Sequence, residues 1–178
     1  MREYRLKNGS RIALREANGD DARRVIRYIQ SVASESDYLT FGEGEFNPRL
    51  EDEARFIEGC KKLRNSLFIV AEHDGEIIGC LTFTGGNRKR VGHFGEFGIT
   101  VSRRFWGLGV GKILMKYLIN WAEESNIVRK INLKVRSDNL KAIRLYRKLG
   151  FVKEGTISRF FYHNNRFYDV YVMGREID

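Results

Sequence analysis

The sequence predicts a mixed α/β (α+β) fold, one sheet with helices laid against it in a single domain over residues 1–178. Three observations lead there. Residues 67–71, 77–83 and 131–135 are continuous or alternating apolar runs with strand character, whereas residues 110–122 place apolar side chains three and four apart, as one helix face does. The two kinds of segment are interleaved along the chain rather than grouped. With 178 residues, 42% hydrophobic and 31% charged, the chain has the size and composition of one globular domain, with no repeat, no low-complexity linker and one proline, Pro48.

Residues 10–15 read as a first strand. Asp20 or Asp21 then caps a helix whose Val25, Tyr28, Ile29 and Val32 share a face. Residues 34–47 combine Ser, Asp, Glu and Gly with Tyr38, Phe41 and Phe46, an irregular, aromatic-bearing loop. Asn47 followed by Pro48 starts a second helix with Phe56, Ile57, Cys60 and Leu63 along its buried side. The strands at 67–71 and 77–83 flank Asp74-Gly75, a strong hairpin signal. Residues 93–101 mix Phe94, Phe97, Ile99 and Val101 with small residues, as a buried strand does. The long helix after it buries Val110, Ile113, Leu114, Tyr117, Leu118, Trp121 and Ala122. Ile131, Leu133 and Val135 alternate as a strand; Asn139 opens a helix carrying Ala142, Leu145, Tyr146 and Leu149 on one side, and Gly150 ends it. Residues 151–161 and 167–176 make a final strand pair around Asn164-Asn165. The predicted order is β-α-α-β-β-β-α-β-α-β-β.

A net charge of +9 raises the question of nucleic acid. The basic residues are scattered over amphipathic helices and often stand near Glu or Asp, and no nucleic-acid motif or basic tail is present. Solvated helix faces plus one site for an anionic ligand account for the charge, so no nucleic-acid partner is expected. No apolar run approaches the roughly 18 residues that cross a bilayer, so no membrane partner is expected either. Met1-Arg2-Glu3-Tyr4-Arg5 leads into no apolar stretch of a secretory signal, and the expected location is cytoplasmic. Cys60 and Cys80 lack metal-type spacing and read as reduced core thiols. His73, His93 and His163 are isolated, suggesting neither a metal site nor a nucleophilic triad.

The most informative segment is residues 104–112, Arg-Phe-Trp-Gly-Leu-Gly-Val-Gly-Lys, between a strand and a helix. Gly107, Gly109 and Gly111 lack Cβ atoms, so the turn can bring its amides against a ligand. The helix that follows aims its unpaired N–H groups and positive dipole end at the same place. Arg104 and Lys112 flank the glycines, and cations there oppose the dipole unless an anion is present. The spacing is neither the Gly-x-Gly-x-x-Gly of dinucleotide-binding folds nor a P-loop, because Ile113 follows Lys112. A pyrophosphate cradle and a ligand-free flexible turn are the two readings of the spacing itself.

Two motifs together resemble a known family. Arg104-x-x-Gly107-x-Gly109-x-Gly111 is similar to the acyl-CoA signature of the GNAT N-acetyltransferases, and Asn139-x-x-Ala142-Ile143-x-Leu145-Tyr146-x-Lys148-Leu149-Gly150-Phe151 to their second motif. Element order extends the resemblance over nearly the whole chain. The tail Asp169-Val170-Tyr171-Val172-Met173 looks like the ribosomal-protein N-acetyltransferase branch. The resemblance implies a splayed mixed sheet with acetyl-CoA inserted where two adjacent strands diverge. It implies that the amides of Gly107, Gly109, Val110 and Gly111 bind the pyrophosphate, with Arg104 and Lys112 adding charge-assisted contacts. It implies that the backbone of Ile99 and Val101 pairs with the pantetheine arm. Asn139 matches a cofactor-contacting position, beside the alternative of an ordinary helix cap. Tyr146 matches the general acid that protonates the leaving thiolate, beside the alternative of a core aromatic.

Acetyl transfer needs a neutral amine, so a carboxylate or a water chain must take a proton. Glu96, three residues before Ile99 and bordering the expected opening, is the first candidate; Glu43 and Glu45 in the aromatic loop are alternatives, or bind a cationic substrate. The expected function is acetyl-CoA-dependent N-acetylation of a primary amine, on a small molecule or a protein N-terminus, by direct attack on the thioester. No metal is involved, and a homodimer is compatible with these features. The competing reading is a non-catalytic acyl-CoA-binding regulatory module in which Tyr146 is structural.

Overall fold

Strand alternation divides the apolar residues between two cores on opposite faces of one sheet. In the computed structural model, which describes residues 1–178, the strands are β1 (Arg2–Arg5), β2 (Arg11–Glu16), β3 (Ser66–His73), β4 (Glu76–Gly85), β5 (Phe94–Val101), β6 (Lys130–Arg136), β7 (Val152–His163) and β8 (Arg166–Glu176). The helices are α1 (Ala22–Ala33), α2 (Leu50–Lys62), α3 (Val110–Ser125) and α4 (Leu140–Lys148). The eight strands lie in the order β1-β2-β3-β4-β5-β6-β8-β7. Along β3, Leu67, Ile69 and Ala71 join the larger core under α3 and α4, while Phe68 and Val70 join the smaller one under α1 and α2. On β4 the register shifts opposite Ala71/Glu72, and Ile77 and Ile78 fall in different cores. The mixed, helix-flanked sheet expected from the sequence is the one observed.

Three local features differ from expectation. β1 was not expected: it is four residues long, mostly exposed and too short for a period-two pattern, yet it pairs antiparallel with β2. The cap before α1 is Asn18 rather than Asp20 or Asp21. Its side chain accepts from the Asp20 amide, and a short 3-10 turn, Gly19–Asp21, precedes the helix. Asp21 instead turns inward and receives Arg15 at 2.6 and 2.7 Å. α2 begins at Leu50, two residues beyond Pro48; Arg49 is still extended (φ −65°, ψ 147°), and its carbonyl takes the first helical hydrogen bonds. Glu51, Asp52 and Glu53 in the first turn suit the positive helix end there.

The feature that positions the site is the junction of β5 and β6. It is the sheet's parallel pair, and it lasts only through Phe94↔Lys130, Gly95↔Ile131 and Glu96↔Asn132. Beyond Glu96 the strands diverge into a fork. α3 crosses between them, its first turn seated on β4 where a Cβ at Gly79 would come within 3.2 Å of Leu114 and 3.3 Å of Val110. No helix is long and apolar enough to cross a membrane.

Candidate active site

Successive residues of a strand send their backbone polar groups to opposite sides. The Ser102 amide donates to the Ile78 carbonyl at 2.9 Å, and the Phe94 carbonyl accepts from Gly86 at 3.0 Å, so the even-numbered residues of β5 bond toward β4. The odd-numbered ones therefore face β6. Since pairing with β6 stops at Glu96, the backbone of Ile99 and the amide of Val101 point into the fork without a strand partner. The Val101 carbonyl is taken by the Trp106 indole N–H at 2.7 Å. The side chains of Ile99 and Val101 pack against the larger core and hold this open edge in place.

At the end of β5 the chain makes a 3-10 turn, Arg103–Phe105, and enters the glycine segment. Gly107 (φ +78°) and Gly109 (φ +108°) occupy the left-handed region that favours glycine, and a Cβ on either would meet nothing within 4 Å. Their outer side is therefore open. The first helical bond of α3 runs from the Ile113 amide to the Gly109 carbonyl at 3.0 Å, and the amides of Gly107, Gly109, Val110, Gly111 and Lys112 have no acceptor in the chain. Val110 is buried on β4 and Gly111 lies beside Leu145, which fixes the turn from behind. Arg104 stacks over Phe105, 5.0 Å from ring centroid to guanidinium carbon, and Lys112 is exposed. Neither cation pairs with a carboxylate. This row of free donors at a helix N-terminus, with two cations that no carboxylate neutralises, fits a pyrophosphate group.

Tyr146, on α4, is 7% exposed and lies beside the fork. Its ring meets Phe97, the first residue past the last paired position, edge-on at 5.8 Å, and Phe151 at 6.0 Å. Burial pushes the phenol well above its usual range, and no hydrogen bond offsets it, so the hydroxyl is protonated throughout the neutral range and its proton is uncommitted. Glu96 stands at the apex of the fork on the opposite face of the sheet, because Phe97 next to it faces α4. Its half-exposed carboxylate accepts from Lys134 Nζ at 2.6 Å. The enclosed Asn132 Oδ1, across from Glu96, has no partner. Asn139 accepts from the Ala142 amide at 3.3 Å and caps α4.

The loop at 34–47 lies on the Glu96 face. Glu43 is exposed, and Glu45 is tied to its own loop, accepting from the Gly42 amide at 2.5 Å. Three residues near the fork escaped the sequence reading: Lys134, Glu35, which accepts from the Arg103 amide at 2.6 Å, and Arg136, buried between Tyr38 and Tyr168. The available signal was the alternation of polar Asn132, Lys134 and Arg136 with the apolar residues of the strand, which sets the three on one face. Cys60 and Cys80 are buried free thiols whose burial pushes them up and keeps them uncharged. No group of His, Cys, Asp and Glu side chains is placed to hold a metal.

The model of the acetyltransferase (GNAT) family matches residues 30–151. The chain is 37% identical over 107 residues to the L-amino acid N-acetyltransferase AaaT of Escherichia coli, a match covering 60% of this chain and 66%, just under two thirds, of that one. It is 27% identical to the spermidine N(1)-acetyltransferase of Vibrio cholerae over 168 residues, 90% of each. The crystal structure of a GNAT-family acetyltransferase from Streptococcus pneumoniae superimposes with a TM-score of 0.91 at 33% identity, covering 94% of this chain and 99% of the other.

Proposed function

The chain belongs to the acetyltransferase (GNAT) family, and we propose that residues 1–178 act as one catalytic domain, an acetyl-CoA-dependent N-acetyltransferase working on a primary amine. The observation that carries this reading is the row of acceptor-free amides at Gly107 and Gly109 to Lys112, set against the unpaired edge of β5. The amides, with Arg104 and Lys112, hold the pyrophosphate of the cosubstrate. The backbone of Ile99 and the amide of Val101 supply the missing strand contacts to its pantetheine arm, which fixes the thioester in the fork.

Acetyl-CoA supplies an acyl carbon already joined to a good leaving group. The amine nitrogen bonds to that carbon and the carbon–sulfur bond breaks. Glu96, directly or through water, takes the proton that the amine must lose, and Tyr146 gives its proton to the departing sulfur. The placement of these two groups on opposite faces of the sheet suits an acceptor arriving from the α1/α2 side and a thiolate leaving toward α4. Asn139 fixes the start of α4 and thereby the direction of Tyr146, about two helical turns further on.

The acceptor is a small amine. The loop at 34–47 crosses the acceptor face, and two of the relatives are by name acetyltransferases of an L-amino acid and of spermidine, while another is by name an N-alpha-acetyltransferase. A protein N-terminus, the substrate of the ribosomal-protein branch, needs an open groove there. The deciding experiment offers amino acids, polyamines and short peptides with acetyl-CoA, scores free-CoA release and identifies products by mass spectrometry. An acetylated amino acid or polyamine supports the reading. Acetylated peptides alone would move it to a protein N-terminus, and bound acetyl-CoA with no acetylated amine would move it to a non-catalytic binding module.

A further inference from the structure

We infer that residues Glu35–Tyr38 form a strap across the mouth of the fork, and that Arg136 is a positioning residue that holds this strap over the acceptor; the acceptor role rests on the function proposed above. The two ends of the strap are fastened to different arms of the sheet. On the β5 arm, the Glu35 carboxylate accepts from the Arg103 amide at 2.6 Å, just where the strand ends. On the β6–β8 arm, Arg136 Nη1 donates to the Asp37 carbonyl at 2.8 Å, and Tyr38 covers one face of the guanidinium at 4.5 Å. His163, on β7, lies 3.5 Å from the Asp37 carboxylate.

Arg136 is suited to this and little else. It is 7% exposed, its other face is closed by Tyr168 at 4.1 Å, and Asp138 accepts from Nε and Nη2 at 2.7 and 3.0 Å. A buried guanidinium with its fork occupied and both faces stacked is held rigidly. Its contacts with the loop, at the Asp37 carbonyl and the Tyr38 ring, are therefore a fixed anchor. Glu35 and Asp37 are two residue steps apart, with Ser36 alone between them, and two steps span at most about 7 Å. A link that short ties the position of the acceptor loop to the separation of the two arms, beyond the point where β5 and β6 stop pairing.

Arg136→Lys keeps the charge and loses the planar fork and both stacks. Hydrogen–deuterium exchange of amides 35–41 is expected to accelerate at least about tenfold, with exchange in β3 and β4 unchanged. In the amine assay the acceptor KM should rise at least about tenfold while kcat and acetyl-CoA affinity stay within about threefold. Tyr38→Leu, at a side chain 38% exposed, removes one stacking face without disturbing the interior and should move both readouts in the same direction by a smaller amount. Unchanged exchange at 35–41 in both variants would overturn the strap. Accelerated exchange with an unchanged acceptor KM would leave a strap that does not position the acceptor, overturning the role of Arg136. If the wild-type chain acetylates no amine, the proposed function falls, and the exchange measurement still decides the strap.

Discussion

Replacing Tyr146 by Phe separates chemistry from architecture, because the structure gives the hydroxyl no structural partner. The ring, 7% exposed and packed on Phe97 and Phe151, is kept whole by Phe. The deleted oxygen donates to nothing in the chain, so no acceptor is orphaned, and folding stability should change by less than about 1 kcal/mol. For a chain of this length that corresponds to a shift in Tm of no more than about 2–4 °C. A positioned general acid contributes about 10²–10⁴ in rate, or about 2.7–5.5 kcal/mol of barrier. Turnover should fall at least about 100-fold, with acetyl-CoA affinity retained, since the cradle is formed by other residues. The assay is free-CoA release under saturating substrates, paired with thermal melting and calorimetric titration of acetyl-CoA. Wild-type kcat in a variant with wild-type Tm would refute the acid role; a large fall in Tm would show that the hydroxyl has a structural duty.

Gly109→Val forces a β-branched residue to φ +108° and sets a side chain over the open amides; acetyl-CoA affinity should weaken well over tenfold, about 1.4 kcal/mol or more, and unchanged affinity by calorimetry would remove the turn from the site. Glu96→Gln should lower kcat/KM most at low pH, where the acceptor is an ammonium ion, and progressively less as the amine deprotonates unaided; a loss equal at every pH would mean the carboxylate positions substrate instead. Asp21 is held below the usual carboxylate range by its hydrogen bonds from Arg15. In Glu72 burial alone acts upward, and Arg15 and Arg24 outweigh it to give a net lowering. Their contribution to stability is therefore present above the unfolded values near pH 4 and lost as pH falls through the folded ones. Asp21→Asn should cost about 3 kcal/mol in urea unfolding at pH 7 and less below pH 4; a gap that stays constant with pH would refute the linkage.

What the sequence disclosed and what it withheld divide along physical lines. The glycine turn and α3 were legible because glycine spacing and helical periodicity are local properties of consecutive residues. The Asp74-Gly75 turn was legible for the same reason, both residues standing at positive φ. The cap before α1 was misread because Asn18, Asp20 and Asp21 all have capping side chains; tertiary contact with Arg15 drew Asp21 inward and left the role to Asn18. Arg136 and Glu35 reach partners 99 and 68 residues away, and no window of sequence contains such a pair. The salt bridge from Lys134 to Glu96 spans 38 residues and depends on the parallel register, which neither strand specifies by itself.

The division of the apolar residues between two cores has a bearing on how the chain is made. The smaller core consists of residues between Ala17 and Cys80, so it can close as soon as the first four strands and two helices have left the ribosome. The larger core cannot, since it needs Leu114, Leu118, Ile131, Leu133 and Met173 as well. At a synthesis rate of about 5–20 residues per second, roughly 4–15 s separate Val101 from Met173. Leu67, Ile69, Leu81 and Phe83 belong to that larger core, so a sheet formed during this interval would leave their apolar face uncovered. A substitution that loosens α1 or α2 is therefore expected to lower yield during synthesis, before α3 and α4 have been made.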